Sequence, residues 1–147
     1  MRSYRYVVGT RDCDALGHLN VSGYYAFCNL AGFALLEDIG WKPGAANAGR
    51  RYSFAVLKSR SEFLAEVLAG QAVIVWPLLR DLGCKSAVFD YRIRLEGEGT
   101  PVFRSSWVTA LMDLDSRRSV TIPDDLRAAL RPCLADGPDW EPPARAG

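Results

Sequence analysis

Between Arg11 and Asn20 the chain reads Arg11-Asp12-Cys13-Asp14-Ala15-Leu16-Gly17-His18-Leu19-Asn20. Two carboxylates, the only histidine, a glycine and an asparagine share this one short loop. A carboxylate can act as a general base to water or as a nucleophile. The next stretch, Val21 to Leu36, is apolar nearly all the way round, which predicts a helix buried inside something larger. A polar loop feeding the start of such a helix sets unbonded backbone N–H groups beside ionisable side chains. Chemistry is expected at that junction.

Other readings of the loop fail on spacing. An EF-hand beginning Asp12-x-Asp14-x-x-Gly17 would need its last carboxylate at Gly23, so calcium is excluded. A D-x-D phosphatase pair needs a buried strand running straight into its first aspartate. Here Gly9, Thr10 and Arg11 intervene, and no strand–helix alternation follows. Cys13, Cys28, Cys84 and Cys133 form no C-x-x-C pair and, with one histidine, make no zinc site; no metal is expected. Cys13 and Cys28 read as inert fillers, because only His18 lies near enough to activate a thiol. Asp12 suits an Asx-turn or an ion pair with Arg11. Tyr24, Tyr25 and Phe27 suit core packing first, with a tyrosine hydroxyl facing substrate as the alternative.

The whole chain of 147 residues suits a single domain with a real core, 49% hydrophobic and 24% charged. A formal charge of +1 offers no overall field for nucleic acid or membrane. Met1-Arg2-Ser3-Tyr4-Arg5-Tyr6 has no apolar run behind its charges, so no signal peptide is expected, nor is a membrane span. A cytoplasmic protein with reduced thiols is the expectation.

Arg2 to Val8 reads as a short strand, and the helix should run from Val21 to Ile39 and stop at Gly40. Trp41 to Arg50 has the Pro and Gly content of a mobile connection. Thereafter the period becomes two-fold, with strands predicted over Phe54–Leu68, Ala72–Leu79, Ser86–Leu95 and Val102–Leu114. Their short connections make them antiparallel neighbours. Pro77 suggests a bulge or an edge, and Ile122-Pro123-Asp124-Asp125-Leu126 opens a small helix. The domain should span 1–131, with 132–147 a flexible tail. The fold class is α+β: a long antiparallel sheet wrapped around one central helix, with Gly23 and Gly32 allowing close approach. One sheet covers only part of that helix, so a second copy should dock edge to edge or face to face.

At this point the sequence resembles the hot-dog-fold acyl-CoA thioesterases, nearest the 4-hydroxybenzoyl-CoA thioesterase-like branch. Arg11 to Asn20 looks like that family's R-x-x-D-x-x-G-H-x-N loop. Ser61-Glu62-Phe63-Leu64 with Gly70, Leu82-Gly83-Cys84-Lys85-Ser86, and Asp113 to Arg118 followed by Ile122 to Leu126 match it in order and spacing. The likeness covers Tyr4 to Leu130. Two departures stand out: Val21 replaces the second asparagine of G-H-V-N-N, and Gly44 to Arg51 is rich in Ala and Gly.

The resemblance implies thioester hydrolysis with Asp14 as base or nucleophile and the Val21 backbone amide as oxyanion donor. His18 would orient water or the thioester, or simply hold the loop by hydrogen bonds. Asn20 would cap the helix or touch substrate. Lys85, Ser86 and Arg118, with Lys58 and Arg60, would hold CoA. CoA belongs to the substrate, so no separate cofactor is implied. The resemblance implies a homodimer or homotetramer with the site at a subunit junction. An acyl carrier protein as thioester donor and a non-catalytic acyl-CoA-binding domain are the alternatives. Hot-dog dehydratases carry a different Asp/His or His/Glu arrangement.

Overall fold

The computed structural model describes residues 2–42, 46–47, 49–135 and 141–142. Parts of the predicted connection after Trp41 (43–45 and 48) and of the predicted tail (136–140 and 143–147) lie outside the described residues.

In chain order the elements are β1 (Tyr4–Val7), α1 (Val21–Asp38), β2 (Ala46–Asn47), β3 (Arg50–Phe63), β4 (Ala72–Leu82), β5 (Ser86–Leu95), β6 (Pro101–Asp113), β7 (Arg118–Ser119) and α2 (Asp124–Leu130). One antiparallel sheet runs β1-β4-β5-β6-β3-β2, with β7 extending β6 beyond the end of β5. The sheet curls around α1, which is the hot-dog architecture. Val73, Val75, Phe89, Tyr91, Phe103, Trp107 and Leu111 of the sheet pack with Tyr24, Phe27, Cys28, Ala31 and Leu36 of the helix.

Each element follows from its sequence. Asn20 caps α1 by accepting the Ser22 amide, and Gly40 turns the chain out at φ +92°, where a Cβ would be strained. Alternating apolar residues on β5 and β6 face the helix. β3 is phase-shifted: a bulge between Val56 and Lys58 lets Phe54 and Val56, and then Ser59, Ser61 and Phe63, all share the helix side. Strict alternation cannot express that shift. β3 also ends at Phe63, short of the predicted Leu68, because Leu64 and Ala65 both turn to the Val102 carbonyl. Pro77 is tolerated because β1 ends opposite Val75, leaving β4 an edge there.

The helix is not enclosed on every side. Ala26, Asn29, Leu30 and Phe33 form an exposed stripe, with Leu30 49% and Phe33 39% exposed. Of its glycines, Gly32 meets the sheet at Tyr91, whereas Gly23 meets Leu19 and the Asp12 carbonyl of the preceding loop. At the start of the predicted tail, Arg131–Cys133 make a 3-10 turn, and the Ala135 amide bonds the Leu79 carbonyl. No helix among the described residues is long and apolar enough to cross a membrane.

Candidate active site

The loop before α1 is built from backbone bonds that its side chains close. Asp12 Oδ2 accepts the Gly9 amide at 2.8 Å, fixing the short turn Thr10–Asp12; this is a capping role. The Asp14 amide then bonds the His18 carbonyl at 2.9 Å, and the Gly17 amide bonds the Asp14 carbonyl at 3.1 Å. Gly17 sits at φ +83°, a conformation glycine adopts without cost. The Leu19 amide reaches the Val67 carbonyl at 2.7 Å, tying the loop to the segment after β3.

Asp14 stands at the tip of this tight turn. Its Oδ1 accepts the Leu16 amide at 2.9 Å and the His18 amide at 3.3 Å, while Oδ2 has no hydrogen-bond partner among the described residues. The carboxylate is thus oriented by one oxygen and open through the other. The amides around the helix start divide in the same way. Leu19, Asn20, Ser22 and Gly23 donate to the Val67 carbonyl, the Asp12 carbonyl, Asn20 Oδ1 and the Asn20 carbonyl. Val21 alone among residues 19–23 has no acceptor in the described structure. Asn20 is engaged as the cap.

Asp14, His18 and Val21 line one open cavity of about 400 Å³, with Tyr24, Phe63 and Glu66 on its other walls. His18 Nε2 lies 3.4 Å from Glu66 Oε2, a carboxylate that the loop motif does not reveal. Glu66 falls inside the strand predicted over Phe54–Leu68, but β3 ends at Phe63 and the chain beyond it turns Glu66 towards His18. The Tyr24 hydroxyl donates to the Ala65 carbonyl at 3.1 Å, and burial, then the Glu66 charge, raises its pKa. The rim is apolar and open, with Val21 58%, Phe63 48% and Leu64 44% exposed.

The remaining predicted residues are elsewhere. Lys85 and Ser86 lie at the turn into β5, where the Lys85 carbonyl accepts the Leu111 amide, and Arg118 lies on β7 opposite Asp113. Phe63 pairs with Phe103, so Leu111 is eight residues along β6 from the Asp14 end, about 27 Å at ~3.4 Å per residue. Lys58 and Arg60 stand on the outer face of β3, in register with Val108 and Ser106. Within one chain, none of these cations shares the Asp14 cavity. Among the described residues, no group of three or more His, Cys, Asp or Glu side chains could hold a metal.

The sequence profile of the thioesterase-like superfamily matches residues 8–130. The chain belongs to that superfamily. Thioester hydrolysis is the reaction class of this thioesterase-like chain, and its sheet-wrapped helix is the fold that goes with it. Among solved structures it is similar to the PA5185 protein from Pseudomonas aeruginosa, with 25% identity, 93% of this chain and 94% of that one covered, and a TM-score of 0.80. It resembles in fold the 1,4-dihydroxy-2-naphthoyl-CoA thioesterase from Synechocystis, at 16% identity, 87% and 93% coverage and a TM-score of 0.75. The SAV2348 protein from Staphylococcus aureus, solved in complex with CoA, has the same fold at 15% identity, 96% and 88% coverage and a TM-score of 0.80. No curated protein matches the sequence.

Proposed function

We propose that the chain hydrolyses acyl-CoA thioesters, water and the ester giving a carboxylic acid and the free CoA thiol. A C–O bond forms at the acyl carbon as the C–S bond breaks, and a proton from water ends on the thiolate. Asp14 acts through Oδ2, either drawing that proton from water or attacking the carbonyl carbon itself. The Val21 amide receives the charge that builds on the carbonyl oxygen. The observation that carries this reading is that an oriented, half-engaged carboxylate and the one unclaimed amide of the helix start open on the same cavity. CoA as the thiol is supported by the CoA-bound Staphylococcus aureus neighbour and by the CoA thioesterase from Synechocystis.

The working unit is a dimer, paired along β3. β2 covers β3 only at Arg50 and Arg51, so Phe54 to Phe63 present an unpaired edge. Beside it lie exposed Val56 and Leu57 and the Leu30–Phe33 stripe of α1. Antiparallel pairing of two such edges sets the Asp14 end of one copy beside the Lys85, Ser86 and Arg118 end of the other. Lys58 and Arg60 then stand at the seam. Cations about 27 Å from Asp14 along one sheet thereby reach the phosphates of a CoA bound at the partner's loop.

The deciding experiment is thiol release from short, long, branched and aromatic acyl-CoAs by the wild type and Asp14→Asn. Release by the wild type, with turnover lost and substrate binding kept in the variant, is expected. Wild-type rates in the variant remove Asp14 from the mechanism. Release only from a carrier-bound acyl chain makes an acyl carrier protein the donor, and binding without release makes the domain non-catalytic.

A further inference from the structure

The outer face of the sheet, turned away from α1, gathers guanidinium groups from four strands: Arg60 on β3, Arg80 on β4, Arg92 and Arg94 on β5, and Arg104 on β6. Arg92 and Arg94 have side chains only 11% exposed. Two carboxylates of the sheet share the area. Asp90, 5% exposed, lies 3.8 Å from Arg92 and 3.9 Å from Arg80, and Glu62 stands at the rim. Arg60, Arg80, Arg92 and Arg104, with Asp90 and Glu62, surround a cavity of about 210 Å³. Asp90 Oδ1 and Arg104 Nε are buried there with no hydrogen-bond partner, and Arg60 forms no ion pair among the described residues.

The chain sets one of its own anions on this surface. Glu141 Oε1 accepts from Arg104 Nη2 at 2.5 Å and from Arg92 Nε at 3.3 Å, and Oε2 lies 3.6 Å from Arg94 Nη2. Pro142, next in sequence, is buried. Half-buried guanidiniums lose hydration and need a counter-anion, so a carboxylate drawn from beyond the sheet marks where an anion is favoured.

We propose that this outer-face cluster is a second ligand site, separate from the Asp14 cavity, which takes a diphosphate group by displacing Glu141. With Glu141 gone, four guanidiniums and two carboxylates line the cavity among the described residues, a surplus of two positive charges that one carboxylate does not meet. A diphosphate brings several oxygens and at least the two negative charges that this surplus calls for. It can be shared between the Arg92–Arg104 fork pair now holding Glu141 and the Arg60 and Arg80 groups that Glu141 does not touch. The group could arrive as free pyrophosphate or on a nucleoside diphosphate.

The test is calorimetric titration of the full chain with pyrophosphate and, separately, ADP. Glu141→Gln removes the competing charge and should tighten pyrophosphate binding at least about fivefold, since the site no longer has to be vacated. Arg60→Gln touches a residue with no ion pair to lose and should weaken binding several-fold without moving the melting temperature. ADP bound more tightly than pyrophosphate assigns the site to a nucleotide; equal or weaker binding assigns it to the free diphosphate. Unchanged affinity in Glu141→Gln, undiminished affinity in Arg60→Gln, or no binding heat in any variant overturns the proposal.

Discussion

Gly32 of α1 rests against the Tyr91 hydroxyl of β5: a Cβ built on that glycine would lie 2.5 Å from the phenolic oxygen. Tyr91 is 3% exposed and packed against Trp107 at 4.7 Å between ring centroids, so its ring can shift little without disturbing that contact. Gly32→Ala would gain about 1 kcal/mol of helix propensity. The overpacking costs about 1–3 kcal/mol, and the net change should be destabilising. Tyr91→Phe in the same chain removes the obstructing oxygen and should recover stability. Denaturant unfolding of the two single variants and the double variant measures this; additive losses in the double variant would refute the clash.

That pair shows what could be seen in the sequence and what could not. The glycine was legible as a place of close approach, but not its partner, because the Tyr91 hydroxyl comes from a distant strand. The capping role of Asn20 was legible because its bond is local, between residues two positions apart; the bonds of Asp14 to the Leu16 and His18 amides are equally local. Glu66 beside His18 was not, since a segment folded back after β3 brings it there. The β3 bulge was hidden for another reason. An inserted residue changes which side chains share a face without changing composition. Lys85 and Arg118 were expected to hold CoA from the family resemblance, and Lys58 and Arg60 as cations of the neighbouring strand. Neither ground says on which end of the sheet a residue falls.

Burial raises the pKa of the Cys28 thiol well above the usual thiol range, while Cys84 is exposed. The thiolate is the reactive species, so Cys84 should be alkylated first and Cys28 only when the fold opens. Mass spectrometry after graded iodoacetamide exposure, native and in denaturant, follows each site. Native labelling of Cys28 at the Cys84 rate would place it outside the core.

The Arg50 hydrogen bond holds the Asp125 carboxyl below the usual carboxylate range, joining β3 to the first turn of α2. A pKa lowered by folding adds stability above the unfolded value, near ~3.9, and loses it as pH falls through the folded value. Asp125→Asn should therefore melt below the wild type at pH 7, with the two melting temperatures converging as pH falls from the unfolded value through the lowered folded one. A gap that stays constant across that window would mean the ion pair contributes nothing.

Val21 is the first residue of α1, and its amide has no acceptor among the described residues. Proline is well tolerated at that position, where its missing N–H costs no helical bond. Asn20, at φ −66° and ψ 149°, already has the extended backbone that a following proline requires. Val21→Pro should therefore leave the melting temperature near that of the wild type while deleting the one proposed oxyanion donor. Loss of such a donor raises the barrier by about 2.7–4 kcal/mol, roughly 100- to 1,000-fold in kcat. Because the donor acts on charge that develops during reaction, kcat should fall with little change in substrate binding. Thiol release under saturating acyl-CoA, read beside a thermal melt, separates the outcomes. A folded variant with undiminished kcat would show that some other group holds the oxyanion.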